Sequence, residues 1–268
     1  MNKYIVFIIL LLFSFYDVDS QILIRWPPNN IPCDTWNNQI SSSEPNCRNI
    51  GCDDPNALWQ VGNKIVEIPD WPGCHFDVWF CYRVCSQSNP RTVQVSIFYW
   101  YRNPTPCPEC QPYDIWMNSD KELNTQIMGI KLWEQITLEL YQDHYQVMEN
   151  NNALHTLYCP NNKTEYMSTK AACKAYCFYQ KFNEDDGVFV DMTEVAECNQ
   201  GSCCVYSRKY CVDQNTHEII IEGTDLVEEI IDEVGYCSDQ IQVQFSTDCY
   251  NGFNQSIIEC EYKCVEPE

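Results

Sequence analysis

Between residues 76 and 84 the chain alternates. Phe76, Val78, Phe80, Tyr82 and Val84 are apolar or aromatic, while Asp77, Trp79, Cys81 and Arg83 between them form a second, unlike set. Period-two alternation belongs to a strand whose two faces meet different surroundings. The run Val93-Gln94-Val95-Ser96-Ile97 follows a turn-forming stretch over 86–91, so the two segments predict a β-hairpin. A second pair has the same form: Tyr206–Cys211, a turn over Asp213-Gln214-Asn215-Thr216, then Ile219-Ile220-Ile221.

Helical spacing follows each hairpin. Leu123, Ile127, Ile130, Trp133, Ile136 and Leu140 recur at three- and four-residue steps behind the capping box Ser119-x-x-Glu122, and Asn150-Asn151-Asn152 closes the run. Gly129, in its interior, is a candidate kink. After the second hairpin, Leu226, Val227, Ile230, Ile231 and Val234 oppose Glu228, Glu229, Asp232 and Glu233 between Thr224 and Gly235, which predicts a shorter helix.

The echo continues: Tyr158-Cys159 precedes Cys173-x3-Cys177, and Tyr236-Cys237 precedes Cys249 and Cys260-x3-Cys264. An ordered series shared by 47–177 and 198–264 points to a diverged duplication. The predicted fold is α+β: two small disulfide-rich modules, each an antiparallel hairpin sheet covered by a helix, behind a loop-rich N-terminal segment. The expected boundaries are 1–20 for a signal peptide, 21–70 for the leader, 71–180 for the first module and 181–268 for its duplicate.

Composition changes the picture through sulfur. Nineteen cysteines follow an apolar stretch, Tyr4–Phe15, that starts behind Lys3 and exits through Val18-Asp19-Ser20. That is the layout of a secretory signal, too short for a membrane span of roughly 20 residues. No later run is apolar enough for a transmembrane anchor, so the expected location is secreted, extracellular or at the cell surface. In an oxidising compartment the structural disulfide candidates are Cys33, Cys47, Cys52, Cys74, Cys81, Cys85, Cys107, Cys110, Cys159, Cys173, Cys177, Cys198, Cys203, Cys204, Cys211, Cys237, Cys249, Cys260 and Cys264. An odd number leaves one thiol, either free and buried or available for an intermolecular disulfide. On one strand Cys81 and Cys85 stand about 13 Å apart and cannot pair with each other. Adjacent Cys203 and Cys204 point to opposite faces and must serve different partners. Cys33, Cys47 and Cys52 are expected to pin the leader.

Thirty-eight acidic residues against sixteen basic ones give a net charge of −22, which disfavours nucleic acid and anionic membranes as partners. An extracellular protein or a glycan remains. Asn162-Lys163-Thr164 and Asn254-Gln255-Ser256 are glycosylation acceptors if the source is eukaryotic.

Candidate chemistry is sparse. Cys107-Pro108-Glu109-Cys110 has the spacing of a thiol–disulfide redox pair. Such pairs open a helix after a strand, however, and Gln111-Pro112 is expected to break one, which favours a structural bridge. Cys81, Cys85, Cys107 and Cys110 have zinc-compatible spacing, but exported thiols oxidise before they metallate. Residues 183–187, Asn-Glu-Asp-Asp-Gly, cluster acidic groups without the spacing of a calcium loop. His75, His144, His155 and His217 fall in no zinc or hydrolase motif, and His144 is expected to be exposed beside Asp143. Aromatics occupy both faces of Ile97–Tyr101, which makes Trp79, Phe98 and Trp100 a candidate binding surface. No cofactor, metal site or catalytic residue is expected. The leading expectation is a non-catalytic secreted structural or recognition protein; the alternatives are an extracellular enzyme with residues assembled only by the fold, for which Cys107 and Cys110 are the candidate redox pair, and a calcium- or glycan-dependent adhesin.

Overall fold

The computed structural model describes residues 31–34, 37, 47, 52, 54, 56–86, 90–102, 107–171, 173–183, 188–197, 203–230, 247–262 and 264. Residues 1–20, where a signal peptide is expected, the segment 103–106 and the acidic residues 184–187 lie outside them, as do Cys198 and Cys237. The fold mixes α and β and is mostly strand: ten strands share one sheet, with few helices and many disulfides.

The first hairpin forms as its alternation requires. Strand β2 (His75–Ser86) pairs antiparallel with β3 (Arg91–Arg102), and β1 (Gln60–Glu67) adds to the outer edge of β2. Phe76, Val78 and Phe80 face one way into the main core with Val93, Val95 and Trp100. A register shift between Trp79 and Phe80, opposite Phe98, reverses the parity of β3. A bulge of this kind inserts one extra residue. Tyr99 and Tyr101 therefore join the opposite face, and Trp100 stays with Val78.

From β3 the chain enters α1 (Gln111–Ser119) through a 3-10 turn at Pro108–Cys110, and continues into α2 (Lys121–Asn150). Pro112 does not break this helix. It stands in the first turn, where a proline's missing N–H costs nothing because that donor has no intrahelical partner. The Cys-x-x-Cys pair therefore does open a helix after a strand. The cap of α2 also differs from expectation: Asp120 accepts from the Leu123 N–H at 3.2 Å, while the Ser119 hydroxyl donates back to Trp116 O. The helix runs unbroken through Gly129 and ends as the asparagines suggest, Asn152 taking φ +54° as Ala153 N donates to Met148 O.

Its buried stripe is Met128, Leu132, Trp133, Ile136 and Tyr141, with Ile130 beside it; Leu140 sits half-buried on the flank. Leu132 and Trp133 fill the space above the sheet. Tyr141 stacks on Tyr210 at 5.0 Å, and Thr137 shares a 2.8 Å hydrogen bond with the Tyr210 hydroxyl. The two helices bridge β3 to its parallel neighbour β4 (Thr164–Ala171), a connection that parallel pairing requires.

β3 forks the sheet. Arg91–Gln94 pair with β4, and Tyr99–Tyr101 pair with β6 (Val188–Glu197). One wing continues from β4 to β7 (Cys203–Val212), whose far edge carries β8 (Ile219–Ile221) and β9 (Asp225–Ile230). The other runs from β6 to β5 (Cys173–Asn183) and β10 (Phe253–Tyr262). A short helix, Thr247–Asn251, precedes β10.

The second hairpin, β7–β8, matches expectation, and Asp213 holds its turn by accepting from Asn215 and Thr216 N–H at 2.7 and 2.8 Å. The helix expected after it is not seen among the described residues. Residues 225–230 are a strand, because the open edge of β7 offers a ladder of hydrogen bonds that a short helix cannot match.

Seven disulfides join the described residues: Cys33–Cys81, Cys47–Cys203, Cys52–Cys85, Cys107–Cys110, Cys159–Cys211, Cys177–Cys249 and Cys204–Cys264. Cys81 and Cys85 do pair elsewhere, and Cys203 and Cys204 do take different partners. Three bridges fasten the N-terminal segment to the sheet. Under it, Trp59 is buried against Arg83, whose guanidinium lies 4.6 Å from the ring centroid and donates to Gln94 Oε1 at 2.7 Å. Burial lowers the Arg83 pKa to about 10, so it keeps its charge at neutral pH.

Candidate functional site

Where the sheet forks, the end of β3, the start of α1 and strands β5 and β6 enclose a cleft of about 270 Å3. Each wall has a local reason. The bulge at Phe98 turns Trp100 and Arg102 toward the helices, and the turn at 108–110 brings α1 back over them, so that Arg102 Nε meets Asp114 Oδ1 at 3.2 Å. The first residue of α2, Lys121, sets its ammonium 4.2 Å from the Phe178 ring centroid on β5. Asn254 of β10 donates to Gln180 Oε1 at 2.8 Å. Aromatic faces, amides and one ion pair on a concave surface suit recognition of a small polar group or one side chain.

Beside the cleft lie three sulfurs. Cys74 ends the turn before β2, where Gly73 takes φ +82° and a Cβ would stand 3.1 Å from Glu109 Cγ. That turn lays Cys74 against the start of α1, and the sulfurs of Cys74, Cys107 and Cys110 lie within 4.8 Å of one another. Cys107 and Cys110 are bonded; Cys74 is free and fully buried. Burial pushes its thiol up to about 12, against a smaller lowering by Arg102; Asp114 and Glu67 raise it further. Arg102 and Asp114 are thus common to the cleft and to the electrostatic surroundings of the thiol. No family model, curated protein or solved structure matches this chain.

The sequence-derived sites fare unevenly. Trp100 is 4% exposed and lines the cleft, whereas Trp79 and Phe98 pack half-buried against Tyr99 and Tyr101 on the other face, so the three do not share a surface. The zinc set is dissolved: Cys81 and Cys85 are bonded to Cys33 and Cys52. His144 is half-buried, not exposed, and its pKa falls to about 4 through burial and then the nearby Arg91. His217 stacks on Tyr158 with Nε2 3.2 Å from the hydroxyl, and His75 lies 3.8 Å from Glu67. Asn162 is half-exposed and Asn254 exposed.

Sequence reading missed the cleft and the place of Cys74. Thirty-three positions separate Cys74 from Cys107, and no local pattern encodes that approach. The one available signal was the odd cysteine count.

Proposed function

We propose that this chain is a secreted, disulfide-stabilised extracellular protein that works by recognition, with the cleft at the fork of the sheet as its binding site and an extracellular protein or glycan as its partner. Seven bridges suit an oxidising setting. Among the described residues no helix is long and apolar enough to cross a membrane. The observation that carries the proposal is the cleft's lining, in which Lys121, Asn254 and Gln180 edge the aromatic walls formed by Trp100 and Phe178.

The same proposal includes two related segments behind a leader. Its support is that β2–β3 and β7–β8 are both antiparallel hairpins in the same order relative to Tyr-Cys pairs; β9 in place of a second helix marks their divergence.

Protein expressed through an oxidising secretory pathway should bind at least one member of a panel of glycans and extracellular proteins, with a change in tryptophan emission from Trp100. Lys121→Ala with Asn254→Ala should weaken that binding at least tenfold and leave the unfolding midpoint within about 2 °C. Absence of binding across the panel, or equal binding by the variant, overturns the reading.

A further inference from the structure

Cys74, the free cysteine among the described residues, has an exit. Cys74 is fully buried and cannot meet another molecule directly, yet it touches a bridge one of whose sulfurs, Cys107, is partly exposed. We propose that Cys74, Cys107 and Cys110 form a thiol relay that carries the buried thiol to the surface at Cys107, where it couples covalently to an external disulfide. The proposal is independent of the recognition reading and extends the redox alternative raised by the Cys-x-x-Cys spacing.

The chemistry balances within the protein. The Cys74 thiolate attacks Sγ of Cys110; the Cys74–Cys110 bond forms as the Cys107–Cys110 bond breaks, and Cys107 leaves as thiolate. The proton lost from Cys74 is matched by one that Cys107 can take from water, so the step is an isomerisation with no net oxidation. In the second step the Cys107 thiolate attacks a low-molecular-weight or protein disulfide, forming a mixed disulfide and releasing one thiolate.

Exposure sets the direction. Cys110, like Cys74, is 0% exposed, whereas Cys107 is the sulfur that water can reach, so the departing charge is hydrated only if Cys107 leaves. The α1 geometry fits: Cys110 caps the helix, and Cys107 begins the 3-10 turn ahead of it, with its sulfur 3.8 Å from the Gly73 carbonyl oxygen. Charge near the cluster comes from Arg102 on β3, Asp114 on α1 and Glu67 on β1, the last 3.8 Å from His75. With the Cys74 pKa near 12, the thiolate is scarce at neutral pH, and the relay is slow there and accelerates about tenfold per pH unit between pH 7 and 9.

The test is folded protein incubated with oxidised glutathione at pH 7, 8 and 9, quenched in acid and mapped by mass spectrometry without reduction. The expected result is one glutathionyl group on Cys107 together with a Cys74–Cys110 link, both absent from Cys74→Ala. Cys107→Ser supplies an independent measurement: incubated with the same oxidised glutathione, its two remaining thiols should be oxidised to a Cys74–Cys110 bond with release of two glutathione thiols, leaving neither free. Glutathionylation only after denaturation, modification at Cys74 itself, or free thiols at Cys74 and Cys110 in folded Cys107→Ser each overturn the relay.

Discussion

The two wings of the sheet are stabilised differently. The wing β4–β7, with the β1–β3 meander, lies under α2 and shares one core in which Trp133, Met128, Leu132, Ile136, Phe76 and Phe80 are all nearly or wholly excluded from water. Among the described residues the wing β6–β5–β10 has a small cluster, Tyr99, Tyr101, Tyr179 and Met192 around the sulfurs of Cys177 and Cys249, and its far end leaves Phe182, Phe189 and Phe253 exposed with successive rings 5.1 Å apart. Burial supports the first. In the second, a covalent tie from the short helix Thr247–Asn251 to β5 supports the small cluster that a few strands without a long helix can supply. Of the seven described bridges one, Cys177–Cys249, lies within this wing; the others add to the larger core or fasten segments to it, so the same bond has different work in the two regions.

The sharpest way to break this contrast is to attack each wing by its own support. Trp133→Ala, in the middle of α2, should cost about 3–5 kcal/mol and lower the whole-molecule denaturation midpoint, since its cavity opens at the centre of the large core. Cys177→Ala with Cys249→Ala opens a loop of 72 residues and should cost about 2–4 kcal/mol. The loss should be local. Hydrogen exchange should rise in β10 and β5 while the α2 amides keep their protection. If α2 loses protection as much as β10 does, the wings are one cooperative unit and the contrast fails.

The same contrast explains what the sequence revealed. β2 was legible because its faces meet unlike surroundings, α2 above and the N-terminal segment below, so Phe76 to Val84 carry a clear period of two. The 225–230 segment was not, because Leu226, Val227 and Ile230 satisfy helical spacing while the outcome depended on pairing with the edge of β7, which helical periodicity does not report. The start of α1 was misread through Pro112, which is a breaker inside a helix and harmless in its first turn. Trp100 was misplaced because one bulged residue, Phe98, reverses every face after it. The cleft needs β3, α1, β5, β6 and β10 together, and the sulfur cluster needs a turn at Gly73 to meet a helix start; both are products of long-range assembly.

A gentler probe separates the wings by acid. His144, on α2 of the helix-covered wing, has its pKa lowered from the ordinary histidine value to about 4, first by burial and then by Arg91. The unfolded chain, with an ordinary histidine near pH 6.5, takes up the proton first. The stability that the neutral ring contributes is therefore complete above pH 6.5 and drains away as the pH falls toward 4. Because the ring is half-buried, the full shift is discounted for solvent screening, and the expected loss is about 1–2 kcal/mol. Carboxylates protonate over part of the same range, so the informative quantity is the difference between wild type and His144→Gln in urea midpoints measured at pH 7 and pH 4.5. The variant should lose less on acidification than wild type, and hydrogen exchange should place the difference in α2 and β3, leaving β10 unchanged. Parallel losses in the two proteins would mean that His144 is protonated in the folded state as readily as in the unfolded one, and that burial beneath this face of α2 is weaker than the packing implies.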